Sequence, residues 1–163
     1  MKQLVIAILH LCLFSCHNRP ILKTGMEGKL MPAFDITLID SITHLNTSKI
    51  DTGIPVILFF FSPNCPYCQA QTKDMLKNSE DFKKYRMFFL TTSSYRQLKG
   101  YYTHFKLVNY QNITVGTDNT YFAQKTFKIN SVPFTVIYDK NKVLKQAFIG
   151  KISSKNIQKA IGE

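Results

Sequence analysis

Read for the spacing of apolar and polar residues, the chain divides into short periodic stretches. From Met31 the run MPAFDITLID alternates apolar and polar positions, the two-residue period of a strand with one face buried. HLNTSKI, 44–50, predicts a second short strand leading into a turn. PVILFFF, 55–61, is apolar without alternation, as expected of a strand covered on both faces, and belongs at the centre of a sheet. CPYCQAQTKDMLKNS, 65–79, predicts a helix with Pro66 in its first turn, where a missing N–H costs nothing. YRMFFLTTS, 85–93, predicts another strand. In SYRQLKGYYTHFK, 94–106, Leu98, Tyr101, Tyr102 and Phe105 form the i, i+3, i+4, i+7 stripe of an amphipathic helix, weakened by Gly100. NITVGTD predicts a strand, NTYFAQKTF a helix, PFTVIYD and KVLKQAFIG two strands joined by a turn at 139–142, and SSKNIQKAIGE a closing helix. Strands alternating with helices, then a hairpin and a last helix, predict an α/β fold with a mostly parallel sheet and an antiparallel edge. No repeat or second domain is visible.

The first residues follow a different pattern. MKQLVIAILHLCLFSC has a positive start at Lys2, an apolar stretch over 4–14 and small Ser15 before Cys16, which is a secretory signal pattern too short for a permanent membrane span. Its end, LFSC, resembles the lipobox of bacterial lipoproteins, which implies cleavage before Cys16 and a lipid on that cysteine. The expected organisation is a signal peptide over 1–15, a polar tether over 16–30 broken by Pro20, Gly25 and Gly28, and one domain over 31–163. Cys12 would then be discarded, leaving Cys65 and Cys68 as the thiols of the mature chain.

Charge adds little to this picture. Lys and Arg number 21 against 10 Asp and Glu, a formal net charge of +11. On an exported, lipid-anchored protein such an excess suggests loose attraction to anionic membrane or acidic partners, and mostly a solvated face. No nucleic-acid role is expected, because the aromatic residues mixed with the basic ones at 82–106 are accounted for as strand and helix core.

The chemistry lies in SPNCPYCQ. A buried strand running into Cys65-Pro66-Tyr67-Cys68 and a helix, with Val132-Pro133 opening a later strand, resembles the thioredoxin fold and its cis-proline. The lead-in MPAFDITLID and the extra helix and strand at about 94–117 look like the TlpA-like redoxins, membrane-anchored thioredoxin relatives of bacterial envelopes, over roughly residues 30–163. Other uses of the pair fit poorly. Structural zinc needs four ligands, and His17, His44 and His104 are isolated from one another, so no metal is expected. Haem attachment needs a histidine where Gln69 stands. A structural disulfide over so short a loop adds little stability. Redox exchange uses every feature, with a Cys65–Cys68 disulfide as the only redox group and no bound cofactor.

A thiol at the first turn of a helix meets unpaired N–H groups and the positive end of the dipole, which favour its thiolate. Cys65 is therefore the expected nucleophile and Cys68, three residues on, the expected resolving thiol. The resemblance further implies that Pro133 lies against Cys65, that the Val132 backbone pairs with an extended substrate, and that Pro66 and Tyr67 contact it. Three residues depart from the family: Phe59 stands where thioredoxins bury an acid, Gln71 where many TlpA-like reductases have glutamate, and Asn64 where tryptophan is usual before the first cysteine. The sequence names no base for Cys68, since Asp74 falls on another helical face. The expected function is a lipid-anchored thiol-disulfide oxidoreductase facing the periplasm, reducing cysteine-containing envelope proteins with electrons from an upstream thiol donor. The alternatives are a disulfide oxidase or isomerase, or a redox-inactive thioredoxin-fold binding module.

Overall fold

A computed structural model describes residues 22–162; the signal segment, Cys12 and Cys16 lie outside the described residues. Among the described residues seven strands form one sheet: β1 Asp35–Leu38, β2 His44–Asn46, β3 Val56–Phe60, β4 Arg86–Thr91, β5 Ile113–Thr117, β6 Phe134–Tyr138 and β7 Leu144–Ile149. Among the same residues five α-helices accompany them: α1 Pro66–Lys77, α2 Ser79–Phe82, α3 Tyr95–His104, α4 Phe122–Thr126 and α5 Ser154–Ile161. The strand order is β2-β1-β5-β4-β3-β6-β7. The unbroken apolar run at 55–61 is central as expected, and every residue of β3 is buried.

The sheet is mixed, which corrects the expectation of a mostly parallel one. Only β3 with β4 and β4 with β5 run parallel; β1 is antiparallel to both β2 and β5, and β6 to both β3 and β7. The cause is the connections. Parallel neighbours need long crossovers, and only α1 and α3 supply full helical ones. Both edges therefore run antiparallel.

The two faces of the sheet hold separate cores. Ile57 and Phe59 of β3, with Phe61 just beyond its end, pack with Cys68, Met75, Leu98, Tyr101 and Ile157 beneath α1, α3 and α5. The alternate residues Val56, Leu58 and Phe60 pack with Phe34, Ala123, Phe127 and Val136 on the other face. The predicted stripe of α3 is real: Leu98, Tyr101 and Phe105 are buried and Tyr102 is half-buried. Each such side chain contributes about 1.5–3 kcal/mol on burial. Gly116 is required by a close approach, because a Cβ there would meet Ile36 Cγ2 at 2.5 Å and the Thr37 carbonyl oxygen at 2.6 Å.

Residues 22–30, read from the sequence as part of a tether, lie along the outer edge of β7. Gly28 N–H donates to the Leu144 carbonyl (2.9 Å), Leu144 N–H to that of Lys29 (2.9 Å), and Leu22 bridges Ala147. Leu22 and Met26 pack against the second core, so three scattered apolar residues, with Met31, hold a segment that lacks any period. The edge of β7 is thereby paired instead of open.

Candidate active site

Cys65 is the N-cap of α1, extended at φ −81° and ψ 117°, with Pro66 in the first turn. Its Sγ accepts the N–H of Cys68 at 3.3 Å, so the sulfur takes the place that a serine or aspartate oxygen usually fills at a helix start. Cys65 is half-exposed and Cys68 fully buried, both as free thiols. Burial, reinforced by the hydrogen bond it shares with Cys65, pushes the Cys68 thiol up to about 12.

The segment 131–133 meets the pair from the side. The Val132–Pro133 peptide is cis, and the Val132 carbonyl oxygen lies 3.8 Å from Cys65 Sγ. The Pro133 carbonyl accepts the N–H of Gly150 at 2.8 Å, which ties this segment to the end of β7. Tyr67 is 68% exposed beside Cys65, Pro66 is exposed and Val132 half-buried. Cys65, Cys68 and the Val132–Pro133 segment are thus together in space as the sequence reading expected, with Pro66 and Tyr67 at their rim.

Below the pair, apolar chemistry stands where the family has acids. Phe59 stacks on Phe61 at 5.7 Å and meets Phe89 edge-on at 5.0 Å, and among the described residues no carboxylate acts on Cys68. Gln71 is buried; its Oε1 accepts the N–H of Ile152 at 2.7 Å, while Nε2 has no hydrogen-bond partner among the described residues. Asp74 accepts from the N–H and Oγ of Ser154 at 2.9 and 2.7 Å, so it holds α5 and does not serve the thiols.

One contributor was invisible in the sequence. The Tyr101 hydroxyl of α3 shares a 2.5 Å hydrogen bond with Thr72 Oγ1 and donates to the Cys68 carbonyl at 3.4 Å. Its ring lies 4.4 Å from Phe61, and burial pushes its phenol well above the ordinary tyrosine range. The periodicity marked Tyr101 as core, but nothing in the stripe said that its oxygen would reach the motif helix. Between the two elements lies a pocket of about 340 Å³, bounded by Pro63, Asn64 and Gln69 on one side and by α3 on the other.

The comparisons with known proteins agree with this geometry. A family model described as thioredoxin-like matches residues 53–143, which span both cysteines and Pro133. The chain belongs to the thioredoxin-like family. Its fold is that of the thiol-disulfide oxidoreductases. Among solved structures it is similar to the pneumococcal exposed lipoprotein thioredoxin of Streptococcus pneumoniae, at 20% identity and a TM-score of 0.65, covering 80% of this chain and 98% of that one. It is also similar to a secreted Mycobacterium tuberculosis disulfide oxidoreductase homologous to E. coli DsbE (14%, 0.65; 78% and 93% covered). StoA from Bacillus subtilis gives 13%, 0.58, and 79% and 96%. No curated protein matches the chain.

Proposed function

We propose that this protein is a lipid-anchored thiol-disulfide oxidoreductase of the bacterial envelope, facing the periplasm, which reduces disulfides of envelope proteins through Cys65 and Cys68. The observation that carries the reading is the asymmetry of the pair: Cys65 Sγ is half-exposed at a helix start and accepts an N–H, while Cys68 is buried behind it. The reaction follows from that asymmetry. The Cys65 thiolate attacks a client disulfide, one client sulfur leaves and takes up a proton, and a Cys65–client mixed disulfide remains. Cys68 then loses its proton and attacks Cys65 Sγ, forming Cys65–Cys68 as the second client sulfur leaves and is protonated. Two electrons have moved to the client, and an upstream dithiol returns them. Pro133 and the Val132 backbone flank the attacking sulfur, where an extended client strand would pair.

The anchor rests on LFSC and on the likeness to a pneumococcal protein named as an exposed lipoprotein. Among the described residues no helix is long and apolar enough to cross a membrane. The domain division follows, with 1–15 removed and Cys16 lipidated. The full chain in detergent should accelerate insulin reduction by dithiothreitol, and Cys16→Ala should move the protein from the membrane to the soluble envelope fraction. Insulin reduction at the uncatalysed rate would remove the enzymatic reading and favour a binding module.

A further inference from the structure

The pocket of about 340 Å³ beside the motif has features that the fold itself does not need. Gly100 lies on its wall in the middle of α3, where glycine is a poor helix former. Its backbone is not in the left-handed region, and a Cβ there would meet nothing within 4 Å. Neither conformation nor packing calls for glycine; its lack of a side chain keeps the pocket open. Asn64 and His104 add polar groups for which no hydrogen-bond partner is found among the described residues, over a floor that includes Tyr101 and Phe105.

The electrostatics of the walls point one way. No Asp or Glu occurs between Asp51 and Asp74, or between Asp81 and Asp118, the two stretches that build the pocket. The helix that forms one wall carries Arg96 and Lys99, with Lys106 just beyond its end, whereas Lys83, paired with Glu80, and Arg86, near Asp51, border other pockets. Asp40, in the turn that receives the Tyr95 hydroxyl, is engaged with Ile42 and Thr43. The lining itself is uncharged, so the flanking cations of the wall helix, with no acid among them, are what favours negative charge at the cleft.

We infer that this pocket is a subsite for a carboxylate side chain of the polypeptide client, placed near the client's reactive cysteine. The inference rests on the proposed dithiol exchange and supplies its substrate class. An acidic residue seated between Asn64 and His104 would hold the client's sulfur in front of Cys65, which follows Asn64 directly in the chain.

The test uses disulfide-linked synthetic peptides that differ only in having Glu, Gln or Lys beside the cysteine, offered to the full chain in detergent. Binding to the oxidised protein is read by fluorescence anisotropy and exchange by kcat/KM. The Glu peptide should be favoured over the Lys peptide by about tenfold in both at low salt, with the gap narrowing at high salt. Gly100→Leu, which fills the opening with a better helix former, should bring the ratio close to one, and Gly100→Glu should reverse it. Thermal unfolding of both variants checks that α3 persists. Equal binding of the three peptides by the wild type, or a preference that survives Gly100→Leu, overturns the subsite. Preferential binding without any exchange would keep the subsite and overturn the dithiol reading instead.

Discussion

Two helix starts in this molecule solve the same problem in opposite ways. At α4 the unpaired N–H groups are met by Asp118, 98% removed from solvent. Its Oδ1 accepts from the N–H of Thr120 and Phe122 at 3.2 Å and from Thr120 Oγ1 at 2.8 Å, and Oδ2 accepts from Ala123 N–H at 2.8 Å. At α1 the cap is a half-exposed sulfur with one N–H bond at 3.3 Å and no acid in the first turn. A saturated cap stabilises a fold. An unsaturated one leaves a positive helix end aimed at an atom that can gain charge and be reached by a client. The comparison separates structure from chemistry by how fully each acceptor is used.

The sharpest way to break the contrast is to remove each sulfur in turn. Cys65→Ser should drop disulfide exchange to background and trap almost no client, whereas Cys68→Ser should accumulate mixed disulfides through Cys65. Non-reducing gels and mass spectrometry of the two variants read this directly, and equal trapping by both would undo the order of attack.

The next effect concerns the proton on Cys68, which burial pushes up to about 12. Since among the described residues no carboxylate acts on it, the thiolate fraction and hence the rate of resolving a mixed disulfide should rise about tenfold per pH unit through the neutral range. A flat stopped-flow profile would mean that the proton leaves by another route. The same raised value bears on stability: the folded state holds this proton more tightly than the unfolded chain does. That contribution is complete below the ordinary value of 9.0 and is lost as pH climbs toward about 12. The reduced protein should therefore unfold at lower urea as pH rises above about 9, and Cys68→Ala should weaken that dependence.

Asp118 gives the control at the other helix. Asp118→Ala strands one buried and three part-buried donors and should cost about 2 kcal/mol in urea unfolding. Cys65→Ser, which puts a favoured cap oxygen at α1, should cost well under about 1 kcal/mol while abolishing activity. If Cys65→Ser were the more damaging to stability, the cap at α1 would be structural after all.

Legibility in the sequence followed the same division between local and long-range causes. The central strand, the motif helix and the α3 stripe are contiguous, so spacing alone exposed them, and the pairing of cysteines with Val132-Pro133 needed only a family resemblance. What escaped depends on residues far apart. Thr72 and Tyr101 meet across 29 positions, and Gln71 and Ile152 across 81. The direction of β1 against β5 and the docking of residues 22–30 on β7 likewise rest on partners that no local period records. Asp118 was equally hidden, because an aspartate after a strand reads as a turn until the helix it caps is placed.

The smallest effect is the redox poise, and it follows from how the α1 cap is filled. Hydrogen bonds from backbone N–H groups are stronger to a thiolate than to a disulfide sulfur, so the bond from Cys68 N–H to Cys65 Sγ favours the reduced form. Phe59, stacked on Phe61, puts no negative charge near the pair where thioredoxins carry an acid, which favours that form further. The intervening Pro66-Tyr67 is the dipeptide of many glutaredoxins, whose potentials lie at roughly −230 to −200 mV against about −270 mV for thioredoxin. The expected potential falls in the glutaredoxin range, a shift from thioredoxin of about 50 mV, or roughly 2 kcal/mol for two electrons. Equilibrating the protein with glutathione buffers and quantifying the Cys65–Cys68 disulfide measures it. A potential at or below that of thioredoxin would show that neither the open cap nor Phe59 sets the poise, and would move the control to the client side of the site.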